Sequence, residues 1–114
     1  MRLTSNLWVM AYLRRCRAHD IFATVARHGD DYAGAIHVKV NRLDGTACVY
    51  GPAPSMATTE RGDDRRFARL LGDVADAEAE AWLARQRSFD SDIWVVEIED
   101  RQARHLLDDQ LDDS

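Results

Sequence analysis

The chain has 114 residues and a formal charge of −5, with 31% charged and 46% hydrophobic residues. This length and composition predict a single domain with a buried core. They exclude a collagen-like chain, a disulfide scaffold, a membrane span and wholesale disorder.

The charge is unevenly distributed along the chain. Residues 1–72 carry 11 bases and seven acids, whereas residues 73–114 carry four bases and 13 acids. Four of these acids lie in the last seven residues. We therefore predict one domain over residues 1–107 and an acidic, flexible tail over residues 108–114. The acidic balance also argues against a nucleic-acid partner, because such domains show a basic face.

The first predicted element is a helix over residues 5–18. Its buried stripe recurs at three- and four-residue steps: Trp8, Val9, Tyr12, Leu13 and Cys16. Arg14, Arg15 and Arg17 lie in the last turns, where they complement the helix dipole. Three arginines are too few to anchor the helix on a bilayer, so packing against a sheet is preferred and no membrane partner is expected.

Three strands are predicted in the region that follows, over residues 21–27, 35–41 and 46–50. The last two are joined by Asp44-Gly45, a dipeptide that favours a type I′ turn with positive φ at both residues. The polar stretch 55–65 has no apolar periodicity and is predicted to be a long loop.

The second half of the chain predicts two more strands, a helix and a short edge strand. These elements span residues 66–71 (strand), 74–87 (helix, capped by Asp73), 93–99 (strand) and 104–107 (edge strand). In strand 93–99, one face carries Trp94, Val96 and Ile98, and the other carries Val95, Glu97 and Glu99. This alternation predicts a central or near-central strand whose glutamate side is solvated. The element order predicts an α+β fold: a mostly antiparallel sheet of five to six strands with two helices on one face, as a two-layer sandwich.

Several stretches resemble a family of short bacterial proteins. They are Trp8–Arg15, Val38–Gly45, Tyr50–Pro54, Leu83–Gln86 and Trp94–Arg101. The family is the domain of unknown function 1491 (DUF1491), and the resemblance extends over nearly the whole chain except the acidic tail. It implies a bacterial, cytoplasmic protein and one complete domain. It carries no catalytic residue over to this sequence, because none is assigned to the family.

No motif for a metal, a cofactor or catalysis is present in the sequence. Cys16 and Cys48 lie far apart and outside any CxxC pair, so both are interpreted as small buried residues in a reducing cytoplasm. The histidines lack the spacing of a helical metal pair, and neither a nucleophile motif nor a phosphate-binding glycine loop occurs. Glu97 and Glu99 share a strand face about 7 Å apart, a spacing compatible with inverting glycosidases. The same spacing occurs on any solvated strand face, which is the preferred interpretation.

The best candidate site in the sequence is a group of cations that lie far apart along the chain. It comprises Arg65, Arg66, Arg101, Arg104 and His105. If strand 66–71 neighbours strand 93–99, these side chains converge and can bind an acidic ligand through the guanidinium forks. Local pairing with neighbouring carboxylates explains them without a ligand and is the preferred interpretation. Those carboxylates are Asp63, Asp64, Glu99 and Asp100.

Two functions are consistent with these observations. The first is a cytoplasmic domain that acts through a protein partner or as a homodimer, favoured because no catalytic constellation is present. The second is an enzyme or binder for a small anionic molecule that uses the cation group.

Overall fold

Five strands and two helices make up residues 3–54 and 65–112, the part of the chain that this computed structural model describes. The helices are α1 (Ser5–Ala18) and α2 (Asp76–Phe89). The strands are β1 (Phe22–Arg27), β2 (Ile36–Asn41), β3 (Thr46–Pro52), β4 (Phe67–Ala75) and β5 (Trp94–Glu99).

The strands form one mixed sheet in the order β1-β5-β2-β3-β4. All pairings are antiparallel except that between β2 and β5. The predicted α+β class and the mostly antiparallel sheet are therefore confirmed, and β5 lies inside the sheet between the edge strand β1 and the central strand β2. The predicted edge strand 104–107 is wrong, since these residues form no strand.

The two helices pack on opposite faces of the sheet. One core cluster joins α1 to alternate residues of β2, β3 and β5, among them Val38, Cys48 and Val96. The other joins α2 to the intervening residues, such as Val49 and Val95. Successive side chains of a strand point to opposite faces, so the predicted two-layer arrangement with both helices on one face is not confirmed. β3 and β5 carry apolar side chains on both faces of the sheet, so each face is covered by one helix.

The β2–β3 hairpin is present as predicted, but its turn differs. Positive φ values occur at Leu43 (+63°) and Gly45 (+91°), not at Asp44. The Asp44 carboxylate instead accepts the backbone N–H of Thr46, and the Asn41 side chain accepts that of Leu43. These side-chain bonds stabilise a longer turn, so the predicted type I′ geometry at Asp44-Gly45 is wrong.

The boundary between β4 and α2 lies later than the sequence predicts. The β3–β4 ladder continues to the pair Thr46↔Ala75, so β4 passes through Gly72. The residue that caps α2 is Ala75, which offers no side-chain oxygen. The predicted capping role of Asp73 is therefore wrong, because that residue still belongs to the strand.

The C-terminal segment crosses the sheet after β5. Leu107 is fully buried, residues Asp108–Gln110 form a 3-10 turn, and the Asp112 N–H donates to the Phe67 carbonyl at 2.8 Å. The division into a domain 1–107 and a tail 108–114 stays a prediction. The predicted loop 55–65 lies outside the described residues except for Arg65.

The one lysine of the chain, Lys39, is buried between the sheet and α2. Its side chain is 3% exposed, and its Nζ lies 2.6 Å from Asp76, 2.5 Å from Glu80 and 3.7 Å from Glu97. Burial alone lowers the pKa of Lys39, but the hydrogen bonds to Asp76 and Glu80 and the charge of Glu97 raise it by more. The ammonium group therefore stays charged and ties α2 to the sheet.

Lys39→Met removes this cation while keeping an unbranched apolar side chain. We expect a loss of about 2–3 kcal/mol in the free energy of unfolding at neutral pH, because three carboxylates are left without their cation. Urea unfolding followed by tryptophan fluorescence measures the loss. The control is Glu99→Gln, an exposed charge change on β5 with an expected effect below about 0.5 kcal/mol. A loss at Lys39 no larger than that of the control would contradict this role of the ammonium group.

His37 is also buried on the α2 face. A Cβ on Gly51 would stand 2.7 Å from the His37 ring, so the glycine leaves room for the imidazole. The edge of the ring faces Trp82 at 5.9 Å between centroids, and Nδ1 is buried without a hydrogen-bond partner in the described structure. Burial lowers the pKa of His37, against the opposing charge of Asp90.

The lowered pKa of His37 predicts acid sensitivity. The folded protein keeps the ring neutral while the unfolded chain takes up a proton near pH 6.5, so the free energy of unfolding falls as the pH drops through about 6.5 toward the folded-state pKa. Unfolding curves between pH 7 and pH 5 should show this decline, and His37→Leu should make it shallower. An unchanged slope in the variant would rule out His37 as the source.

Candidate functional site

The predicted cation group is spread over the molecule. β4 does not neighbour β5, since β2 and β3 lie between them, so the assumption that would bring these side chains together is wrong. Arg65 is buried near the start of α1, where it donates to the Leu3 carbonyl and the Ser5 hydroxyl. Arg104 donates to the His19 carbonyl beyond the other end of α1. A 14-residue helix is about 20 Å long, so Arg65 and Arg104 do not meet.

The other members of the group contact their own surroundings. Arg66 donates to the carbonyls of Asp109 and Leu111. Arg101 is exposed in the turn after β5. Arg104 also holds Asp100 through two parallel bonds of 3.1 and 2.8 Å, which is the local pairing that the sequence offers as the alternative. Asp63 and Asp64 lie outside the described residues, and a ligand-binding role for the group stays a prediction.

His105 is the member that lies beside other reactive side chains. Its ring contacts that of Tyr50 at 4.6 Å between centroids, and its Nδ1 accepts the Leu107 N–H at 3.0 Å. Burial lowers the pKa of His105, with the charge of Asp108 opposing and that of Arg69 adding to the effect. The imidazole therefore favours its neutral form.

A second group of polar and titratable side chains, the Cys48 cluster, lies next to His105. We define it as Arg42, Cys48, Tyr50, Arg69 and Asp73. One carboxylate oxygen of Asp73 accepts the Cys48 thiol at 2.9 Å, Arg42 at 3.0 Å and Arg69 at 3.4 Å. Arg69 also approaches the Cys48 sulfur at 3.5 Å.

Strand register explains how these residues meet. Cys48 and Tyr50 alternate on β3, and Arg69 pairs directly with Tyr50. The ladder then shifts, since Val49 pairs with Leu71 and Ala47 with Val74. Gly72 and Asp73 thus lie opposite Cys48 alone, as in a β-bulge, which turns the Asp73 side chain onto the face that carries Cys48.

The electrostatics of the cluster keep the thiol protonated. Burial and the hydrogen bond to Asp73 raise the pKa of Cys48, while Arg69 opposes them. The bonds from Cys48 and Arg42 hold the pKa of Asp73 below its usual range. A protonated thiol is a poor nucleophile, so the arrangement suits holding a negative group better than attacking a substrate.

Sequence reasoning does not find this cluster. It interprets Cys48 as a small buried residue and Asp73 as a helix cap, and it includes neither Arg42 nor Arg69 in the candidate site. The strand pattern places Cys48 and Tyr50 on one face, but no local pattern predicts the β-bulge that brings Asp73 to the same face.

The described ranges contain neither a metal-binding cluster nor a membrane-spanning helix. No group of three or more histidine, cysteine, aspartate or glutamate side chains there is arranged to hold a metal ion. Neither of the described helices is long and apolar enough to cross a bilayer.

Known proteins are similar to this chain in both sequence and fold. A family model described as "Protein of unknown function (DUF1491)" matches residues 3–108. A crystal structure of a DUF1491 family protein from Caulobacter crescentus CB15 is 38% identical, with a TM-score of 0.80 over 98% of this chain and 99% of that chain. An NMR structure of a DUF1491 family protein from the same organism is 40% identical, with a TM-score of 0.77 over 98% of each chain. The solution structure of protein Atu0922 from A. tumefaciens is 45% identical, with a TM-score of 0.75 over 87% of this chain and 86% of that chain. The comparison with curated proteins gives no match.

The control of the Cys48 thiol by Asp73 is testable. Asp73→Asn keeps the shape of the side chain but removes the charge, so the pKa of Cys48 should fall and its reaction with iodoacetamide at neutral pH should accelerate. Mass spectrometry of the alkylated peptides across a pH series measures both effects. Cys16, fully buried in α1, is the internal control and should stay unreactive. Equal rates for Cys48 in the wild type and the variant would refute the role of Asp73.

Proposed function

The chain belongs to the DUF1491 family, whose description assigns no function, and we propose that it acts through protein–protein contact as a homodimer. The contact surface is the α1 stripe, which we define as Leu3, Leu7, Met10, Arg14 and Arg17. Its three apolar residues are 44%, 55% and 40% exposed. Leu7, Met10, Arg14 and Arg17 recur at three- and four-residue steps and therefore share one side of α1, and Leu3 immediately precedes the N-cap residue Thr4.

The apolar part of the α1 stripe is the observation that carries the proposal. The inner side of α1 already has its own buried residues, including Trp8, Val9 and Tyr12. The outer side of such a helix is ordinarily polar. Contiguous exposed aliphatic side chains are typical of a surface that another protein covers.

Charge favours a second copy of this chain as the partner. Arg14 and Arg17 continue the stripe toward the C-terminal end of α1, are exposed, and form no ion pair within the described ranges. At the other end, the Asp31 carbonyl accepts the Asn6 N–H, and the Asp31 carboxylate, which also contacts Nε2 of His28 at 2.7 Å, is 57% exposed. Two antiparallel copies of α1 related by a two-fold axis would bring Arg14 and Arg17 near the partner's Asp31. The apolar residues would then meet at the centre.

Other surfaces of the molecule support self-association less well than the α1 stripe does. β1 is an edge strand and Phe22 is 60% exposed, but the ladder is irregular between Val25 and Arg27, and such bulges discourage edge pairing. The anion-binding alternative at the predicted cation group is weakened because Arg66 and Arg104 are occupied by carbonyls and by Asp100.

The thiols of Cys16 and Cys48 are free, which supports the proposed cytoplasmic location.

Light scattering over a concentration series tests the dimer. The mass should rise from 12.9 kDa toward twice that value, and Leu7→Glu should keep the protein monomeric, because it buries a charge at the centre of the contact. Phe89→Glu is the matched control: Phe89 is 84% exposed at the end of α2 and should tolerate the change. A wild-type chain that is monomeric throughout would contradict the proposal. So would a dimer that survives Leu7→Glu but is lost in Phe22→Glu.

A charge-swap series tests the orientation of the two copies. Arg14→Glu with Arg17→Glu, and separately Asp31→Lys, should each weaken self-association by about tenfold. Mixing the two variants should restore association, since each copy then meets an opposite charge at both ends. Failure of the mixture to associate better than either variant alone would exclude the antiparallel arrangement.

A further inference from the structure

We propose that the Cys48 cluster binds a small molecule through its carboxylate group, and that the Asp73 side chain holds the place of that group in the free protein. The site is separate from the α1 stripe and does not depend on dimer formation. It also shares no residue with the predicted cation group, although His105 of that group contacts the Tyr50 ring.

The first observation is the convergence of donors on one oxygen. Oδ1 of Asp73 accepts hydrogen bonds from Arg42, from Arg69 and from the Cys48 thiol. Guanidinium groups that converge in this way form a receptor for a carboxylate. The Asp73 side chain is 50% exposed, so it can turn into solvent and give up this position.

The second observation is that donors remain unused around the carboxylate. The Nε of Arg42 is buried and unpaired in the described structure. Tyr50 is 8% exposed, and its hydroxyl reaches solvent without a hydrogen bond to any described group. Arg69 and Asp73 lie close enough for their charges to act on this hydroxyl. Buried polar groups normally find partners, so a site with spare donors beside a replaceable carboxylate is suited to a ligand with more than one acceptor.

The space and the charges around the Cys48 cluster restrict the class of ligand that it can bind. The bulge residue Gly72 lies beside the Arg69 guanidinium, since a Cβ added there would be in ordinary van der Waals contact with it at 3.4 Å. Asp44 lies near Arg42, and Asp108 lies near Tyr50 and His105. Two flanking carboxylates disfavour a doubly charged phosphate, whereas one carboxylate exchanges for Asp73 without a change in charge.

Titration with acetate, followed by NMR of the backbone amides and the arginine Nε–H groups, tests the site. We expect saturable shifts at Arg42, Arg69 and Tyr50, with inorganic phosphate weaker than acetate at equal ionic strength. Asp73→Asn should bind acetate about tenfold more tightly, because the internal competitor has lost its charge. Asp73→Ser is a second variant with the same expectation if the first misfolds, which the amide spectrum reveals.

Matched arginine variants complete the test. Arg42→Gln and Arg69→Gln should each weaken acetate binding by about tenfold, whereas Arg85→Gln, an exposed arginine on α2, should leave it unchanged. Shifts spread evenly over all arginines would overturn the proposal. So would equal affinities in the wild type and both Asp73 variants, or tighter binding of phosphate than of acetate.

Discussion

The parallel pairing of β2 with β5 is the constraint on which the rest of the structure depends. It runs in continuous register from Ile36↔Trp94 to Asn41↔Glu99 and brings the last strand into the middle of the sheet. Parallel neighbours need a crossover connection, and α2 lies within the segment that makes it. A strand in this position is covered on both sides, which explains the apolar residues on the two faces of β5.

The positions of the polar and apolar surface groups depend on how much of the sheet each helix covers. α1 packs over the middle of one face, and the C-terminal segment places His105 against Tyr50. The outer part of the β3–β4 ladder is left with polar side chains, and there the bulge gathers the Cys48 cluster. α1 meanwhile is apolar on two sides, only one of which faces the sheet.

Local patterns in the sequence predict most of the elements but not how they are arranged. Alternation identifies β2 and β5, and the helical spacing of Trp8, Tyr12 and Cys16 identifies α1. The strand order depends instead on which non-consecutive segments pair, and nothing local in residues 93–99 indicates that they pair with β1 and β2. The same limit applies to the candidate site, because the predicted cation group assumed that β4 and β5 are neighbours. Asp73 precedes a helix in the way a cap does, and only the long-range β3–β4 ladder keeps it in a strand.

The position of β1 has a consequence for how the chain is made. In the described sheet β1 pairs with β5 alone, so Phe22 cannot form its cross-strand pair until Glu99 has been synthesised. During synthesis the ribosome must therefore complete most of the chain before β1 can join the sheet, whereas the β2–β3 hairpin forms from neighbouring residues. Closing so long a loop is entropically costly and slows folding. Until then the nascent chain carries an unpaired strand with an exposed phenylalanine, the kind of segment on which chaperones act.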